Sequence, residues 1–239
     1  CPLPWKHLAT HPHGSITLCC ESEQIGRQSE SYDKNELIIT DKGREYKTLH
    51  TTDYDFNKIH NSESFRQVRL DMLNGKRPSV CNKCWDSEDV GNTSKRLHEL
   101  NRLEYTLEDA ITETKEDGSI DAKPSYYDSR TIHCNLQCVS CGITYSSQHI
   151  DLFKDMFGQD TYDNARGNGG TRGNPFKVDK KHEERTAKEM EEGLEEKRIT
   201  GFYWAGGEPF MSPVHWTVME KILELREKPG YKDYIDNIR

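Results

Sequence analysis

Large apolar residues are sparse in this chain and fall into short windows with a helical or strand-like period. The clearest helical stripe lies near Ser62–Leu73, where Phe65, Val68, Met72 and Leu73 share one face and Gly75 supplies a stop. Leu97, Leu100 and Leu103, spaced three apart, predict a second helix from Ser94 to Leu103. Tyr126–Ile132, rich in Tyr and Thr, predicts a strand feeding the loop that opens at Cys134. A short helix follows with Ile150, Phe153 and Phe157 on one face, ending at Gly158. Asp179–Lys197 predicts a longer helix with Ala187, Met190 and Leu194 inward and its many Glu and Lys on a solvated face. Ile199–Trp204 then predicts a strand, and Ala205–Phe210 a turn. Ser212 suits a helix N-cap, Pro213 the first helical position, and Val214, Val218, Ile222 and Leu225 form the buried stripe up to Pro229-Gly230. The run Tyr234–Arg239 predicts a further strand from Ile235. This alternation implies βα units with a parallel sheet and right-handed crossovers, and no internal repeat is present.

Composition divides the chain further. Of 239 residues, 33% are hydrophobic and 31% charged, which favours two smaller cores over one. The expected divisions are residues 1–103, an acidic linker over 104–123 containing Asp117-Gly118, and a second domain over 124–239. Asn164–Pro175, with Gly167, Gly169, Gly170 and Gly173, reads as a mobile surface insertion; it does not follow a strand, so it is not a phosphate loop. The net charge of −8 argues against a nucleic-acid partner. No apolar run reaches the length of a membrane span and no signal-peptide pattern opens the chain, so a cytoplasmic protein without a membrane partner is expected. The first residue is Cys1 and the last lies in a strand-like run. Both ends look cut, and a fragment of a longer protein is expected.

The eight cysteines carry the chemistry: Cys1, Cys19, Cys20, Cys81, Cys84, Cys134, Cys138 and Cys141. Their grouping as C-x2-C and C-x3-C-x2-C suits thiolate chelation better than distant cross-links. Cys134, Cys138 and Cys141 lie within eight residues of one another. Three thiolates on one loop can hold three corners of a [4Fe–4S] cube and leave the fourth iron open to an exogenous molecule. The alternative is zinc, which wants a fourth Cys or His close by; His133 is adjacent, but a residue directly preceding a ligand in an extended loop points away. One βα unit later, Trp204-Ala205-Gly206-Gly207-Glu208-Pro209 sits at the C-terminal end of a predicted strand. Ligands bind there in α/β folds, and glycines let them approach the backbone.

Taken together, C-x3-C-x2-C after one strand and Gly-Gly-Glu-Pro after the next resemble the radical SAM superfamily. The resemblance implies a truncated partial (β/α) barrel preceded by a small, irregular, cysteine-rich α+β domain. Cys134, Cys138 and Cys141 would ligate a [4Fe–4S] cluster whose open iron takes S-adenosyl-L-methionine (SAM), and Gly206, Gly207, Glu208 and Pro209 would help hold the SAM amino group. The implied activity is an oxidoreductase or maturase. It would cleave SAM reductively to a 5′-deoxyadenosyl radical, which abstracts hydrogen from a substrate. The residue before the third cysteine, usually aromatic in that family, is Ser140 here; no ligand is lost by it.

The N-terminal cysteines, with Pro4-Trp5 and the run from Gly14 to Cys19, resemble the first half of a SPASM pattern, a twitch domain. Cys1, Cys19, Cys81 and Cys84 would then ligate an auxiliary [4Fe–4S] cluster, with Cys20 as the competing candidate for the place of Cys19 and a zinc knuckle as the competing centre. His11 and His13 are read as loop residues. Such modules usually follow the barrel, whereas this one precedes it. The resemblance implies a peptide or protein substrate and a one-electron donor such as a ferredoxin or flavodoxin. A small-molecule dehydrogenase or cyclase, or a non-catalytic iron–sulfur or zinc protein, are the alternative readings.

Overall fold

A computed structural model describes residues 1–12, 14–22, 55–164 and 180–239. The chain opens with the short helix α1 (Leu3–Lys6) and strand β1 (His7–Thr10), which turns at Gly14 into β2 (Ile16–Thr17). Gly14 has φ 88°, and its amide donates to the His11 carbonyl at 2.8 Å. The left-handed conformation is one that glycine adopts without a Cβ penalty. Helices α2 (Phe56–His60), α3 (Glu63–Leu73), α4 (Asn82–Asp89), α5 (Lys95–Leu103) and α6 (Leu107–Glu113) precede β3 (Tyr126–Arg130). Helices α7 (His149–Phe157), α8 (Gln159–Asn164) and α9 (Lys180–Glu195) lead to β4 (Gly201–Ala205), and α10 (Pro213–Arg226) and α11 (Lys232–Asp236) follow.

The four described strands form one sheet in the order β2-β1-β3-β4, with β1–β3 and β3–β4 parallel and β1–β2 antiparallel. It is a mixed α/β sheet that does not close into a barrel. Register pairs Ala9 with Asp128 and Asp128 with Tyr203, so the pleat puts Tyr126, Asp128 and Arg130 on one face and Tyr127 on the other. The Tyr127 face is the apolar one. Leu8, Phe65, Val68, Tyr127, Met190, Leu194 and Val218 all belong to one buried cluster. Helices α9 and α10, packed against each other, cover it.

The helical stripes at α3, α9 and α10 lie where their periodicity places them, whereas α5 forms as expected but buries Glu99, with Leu97, Leu100 and Leu103 only half-buried. Ser94 caps α5 by accepting from the Leu97 amide at 3.2 Å, and Pro213 occupies the first turn of α10. Other expectations are corrected. The buried cluster draws Leu8 and Val68 from the first hundred residues and Met190 and Val218 from the last, so one core serves both halves where two were expected. Residues 104–123, expected as a linker, carry α6 with a Thr106–Asp109 capping box. They also hold Ala110 and Ile120 in a second apolar cluster with Trp5. The Trp5 indole donates to Thr114 Oγ1 at 2.7 Å, and Lys6 pairs with Glu113 at 2.8 Å. The strand expected from Ile235 is the helix α11. Only Arg239 joins the sheet edge, its amide donating to the Thr200 carbonyl and its carbonyl accepting from the Phe202 amide. Helix α7 forms as expected, yet none of its residues is buried. The glycine-rich run with Gly167, Gly169, Gly170 and Gly173 lies outside the described residues, as does His13.

Arg69 fixes the N-terminal half. Its side chain is fully buried in α3 and donates to the carbonyls of Pro4 (2.9 Å), Gly118 (3.2 Å) and His60 (2.6 Å). Burial lowers its pKa to about 9, so the guanidinium stays charged near neutrality. Thus a single donor fork joins α1, the end of α2 and the segment after α6.

Candidate functional site

The first group of cysteines is assembled by the turn at Gly14. The β1–β2 hairpin brings Cys19 back beside the start of the chain, where it packs with Leu3, Tyr126, Cys1 and Leu103. Ser22 closes the turn after β2: its hydroxyl accepts from the Cys19 amide at 3.1 Å and donates to the Cys19 carbonyl at 2.9 Å. Cys81 is the N-cap of α4 and Cys84 its third residue, so both thiols stand at the positive end of a helix. Behind them Trp85 lies under the guanidinium groups of Arg77 (5.3 Å) and Arg96 (4.6 Å), and Arg96 also pairs with Glu88.

Cys1, Cys19, Cys81 and Cys84 line a single apolar cavity together with Leu3, Met72, Lys95 and Arg96. Cys20 does not line it; its thiol, pushed up first by burial, feels the charges of Lys95, Asp128, Arg130 and Glu21. Burial pushes the Cys19 thiol up to about 11 and the Cys81 thiol up to about 12, with neighbouring thiols adding to both shifts. Cys19 and Cys81, whose thiols burial keeps protonated, fit a centre that takes them as thiolates and releases their protons on binding. All eight cysteines are free, so no disulfide competes for them. Among the described residues no three His, Cys, Asp or Glu side chains are gathered tightly enough to hold one metal ion. A cubane takes each thiolate on a different iron, so thiols set too far apart for one ion do not by themselves exclude it.

The second group lies at the strand ends of the sheet. Cys134 follows β3 and the Gly206-Gly207 turn follows β4, so both stand at the C-terminal ends of neighbouring parallel strands. Cys134 is buried, Cys141 half-buried and Cys138 exposed. The Leu136 amide donates to the Cys134 sulfur at 3.4 Å, and the Cys141 amide to the Cys138 carbonyl at 2.9 Å, a tight turn between those two cysteines. Ser147 secures the loop's start, accepting from the Cys134 amide (3.2 Å) and donating to its carbonyl (3.1 Å). The donors are all thiols on one loop, which fits three corners of a cluster. His133 turns aside to Glu183 on α9 at 3.0 Å, and that carboxylate raises its pKa.

The turn after β4 is sewn to this loop through its backbone. The Gly207 amide donates to the Tyr145 carbonyl at 2.8 Å, the Glu208 amide to the His133 carbonyl at 2.8 Å, and the Thr131 amide to the Ala205 carbonyl at 3.1 Å. Gly206 and Gly207 have φ of 69° and 37°. A Cβ on Gly206 would come within 2.7 Å of the Thr131 carbonyl oxygen, and one on Gly207 would overlap the carbonyl of His133. The glycines are therefore required by the contact between turn and cysteine loop, a reason their sequence context did not show. The Glu208 carboxylate caps the following 3-10 turn by accepting from the Phe210 amide at 3.1 Å.

Sequence reasoning passed over a set of polar residues near these strand ends. Arg130 reaches both carboxylate oxygens of Asp128 (3.2 and 3.1 Å) and donates to the Tyr145 hydroxyl at 3.4 Å. That hydroxyl also meets His11 Nδ1 at 3.2 Å. The signal available was the alternation Tyr126, Asp128, Arg130, which places a buried charge pair on one face of a strand.

The family model for SPASM, an iron–sulfur cluster-binding domain, matches residues 1–85. That match covers three of the four cavity cysteines' positions in the chain's first turn and hairpin and at Cys81, and the fourth at Cys84. The N-terminal region is thus similar to an iron–sulfur binding domain, which supports cluster binding there. No curated protein and no solved structure matches the chain. Among the described residues no helix is long and apolar enough to cross a membrane.

Proposed function

We propose that the chain is a radical SAM protein with two iron–sulfur centres. In this reading Cys134, Cys138 and Cys141 hold the cluster that binds SAM, and Gly206, Gly207, Glu208 and Pro209 form the edge that receives it. Cys1, Cys19, Cys81 and Cys84 hold an auxiliary [4Fe–4S] cluster in a twitch-like N-terminal segment, whose β1 and β2 share one sheet with the β3 and β4 that carry the SAM-binding edge. The substrate is a peptide or protein, and electrons come from a small donor such as a ferredoxin or flavodoxin in the cytoplasm.

The observation that carries the reading is the joint placement of a three-cysteine loop and a double-glycine turn. They sit at the C-terminal ends of adjacent parallel strands and are linked through the amides of Gly207 and Glu208. The SPASM match over residues 1–85 adds independent support, because that domain is typical of radical SAM enzymes. Cys134, Cys138 and Cys141 are the residues that would hold a site-differentiated [4Fe–4S] cluster, which when bound would supply the one-electron reduction needed for SAM cleavage. The chain's own part is positional. Cys134, buried and fixed through Ser147, anchors the loop, while Cys138 stays exposed to solvent and thus to incoming iron and SAM. Anaerobic reconstitution followed by EPR with and without SAM, and assay of 5′-deoxyadenosine, tests this. An iron-loaded protein whose spectrum does not respond to SAM would overturn the reading.

A further inference from the structure

We infer that Tyr145 is a positioning residue that ties the N-terminal module to the glycine turn of the SAM site; the inference rests on the function proposed above. Three contacts converge on this one residue. Its carbonyl accepts the Gly207 amide at 2.8 Å, so it sets the height of the turn above the cysteine loop. Its ring lies close enough to Gly206 that a Cβ there would come within 3.1 Å of it. Its hydroxyl accepts from Arg130 at 3.4 Å and also hydrogen-bonds His11 Nδ1 at 3.2 Å.

Each partner belongs to a different part of the chain. Gly206 and Gly207 follow β4, Arg130 ends β3, and His11 follows β1 within the segment that matches the cluster-binding domain. Arg130 is itself held by buried Asp128, which is 2% exposed, so the hydroxyl meets a fixed donor. Buried His11 lies one turn from Gly14, the residue that returns the chain toward Cys19. A shift of the hairpin therefore reaches the Gly207 amide through Tyr145 as well as through the β1–β3–β4 ladder. The ring is held at both ends, and freeing the hydroxyl end lets it and its carbonyl move relative to Gly207.

The test uses the full chain, anaerobically reconstituted, with Tyr145→Phe, His11→Leu and the double variant. SAM affinity is read by EPR titration, and amide exchange by mass spectrometry on the peptide spanning 203–211. Tyr145→Phe is expected to weaken SAM binding about two- to tenfold, the size of one lost hydrogen bond. Exchange in 203–211 should quicken, with iron content and melting midpoint unchanged. His11→Leu should act in the same direction, and the double variant should lose no more than Tyr145→Phe alone, because Tyr145→Phe already removes the His11 link. Wild-type SAM affinity with wild-type exchange in Tyr145→Phe would overturn the inference, as would losses that multiply in the double variant. If His11→Leu fails to fold, Tyr145→Phe, which keeps the ring, decides alone. If the wild-type protein takes up iron but not SAM, the functional reading falls by itself, and the exchange of 203–211 still decides the role of Tyr145.

Discussion

The Glu208 amide donates to the His133 carbonyl at 2.8 Å, joining the residue after the double-glycine turn to the residue before the first loop cysteine. The two motifs are separated by more than sixty residues of sequence but by a single hydrogen bond in space. Whatever moves the cysteine loop moves the turn.

Gly207→Ala should break that contact. The new methyl would overlap the His133 carbonyl, and φ of 37° is strained for alanine. The expected cost is about 2–3 kcal/mol of stability from strain and overlap together. SAM affinity should fall at least about tenfold, the equivalent of about 1.4 kcal/mol. Chemical denaturation and a SAM titration measure the two effects, and an alanine variant with an unchanged denaturation midpoint would refute the packing argument.

Much of the helical frame was legible because caps and stripes are local signals. Ser94 before Leu97 and Ser212-Pro213 before Val214 mark helix starts, and the structure places helices there. Two readings failed for reasons that are also local. Composition hid α6, since 104–123 is acidic, yet Thr106 and Asp109 stand three apart as a capping box. Tyr234–Arg239 looked strand-like, but Tyr231, Tyr234, Ile235 and Ile238 follow the i, i+3, i+4, i+7 spacing of a helix face, and all four pack on the main core. The parallel pairing of β1 with β3 was beyond any local signal. His7–Thr10 is four residues long and buried throughout, so it shows no alternation. At the sites, the spacing of the thiols was readable. The cavity that gathers Cys19 with Cys81 and Cys84 depends on long-range folding and was not.

Arg69→Met should destabilise the N-terminal half by about 3 kcal/mol or more, because it leaves the buried carbonyls of Pro4, His60 and Gly118 without their donor. Arg69→Lys should rescue only part of the loss, since one ammonium on a flexible stem cannot reproduce the fork. Urea denaturation of the three proteins checks this. Equal midpoints for Met and Lys variants would show that donor geometry is not what Arg69 provides.

Acidification should destabilise the fold through buried histidines. His7, fully buried and bonded through Nδ1 to the Leu18 carbonyl at 2.9 Å, has its pKa lowered by burial to about 4. His60, also buried, is lowered well below the usual value, first by burial and then by the charge of Arg69. A folded pKa below the unfolded one means that stability is fully present above about pH 6.5 and is lost as pH falls toward 4. Between pH 7.5 and 5 the His7 contribution should fall by about 2 kcal/mol. In His7→Gln that part of the slope should vanish. A variant that tracks the wild type across the range would exclude His7 as the source.

Cysteine substitutions should divide the bound iron into two independent sets. The first four thiols line a cavity between the hairpin and α4, whereas Cys134, Cys138 and Cys141 sit on the loop after β3. Cys138→Ala, at an exposed position, should abolish SAM cleavage while leaving about four irons bound, one cubane's worth. Cys84→Ala should remove the other set of about four and leave the SAM response of the remaining cluster in place. Cys20→Ala should keep both sets, because Cys20 stands outside the cavity, whereas Cys19→Ala should behave like Cys84→Ala. Iron analysis and EPR after anaerobic reconstitution read all four variants. Loss of all iron in Cys138→Ala would mean one shared centre, and loss of the N-terminal set in Cys20→Ala but not in Cys19→Ala would reverse the ligand assignment at the hairpin.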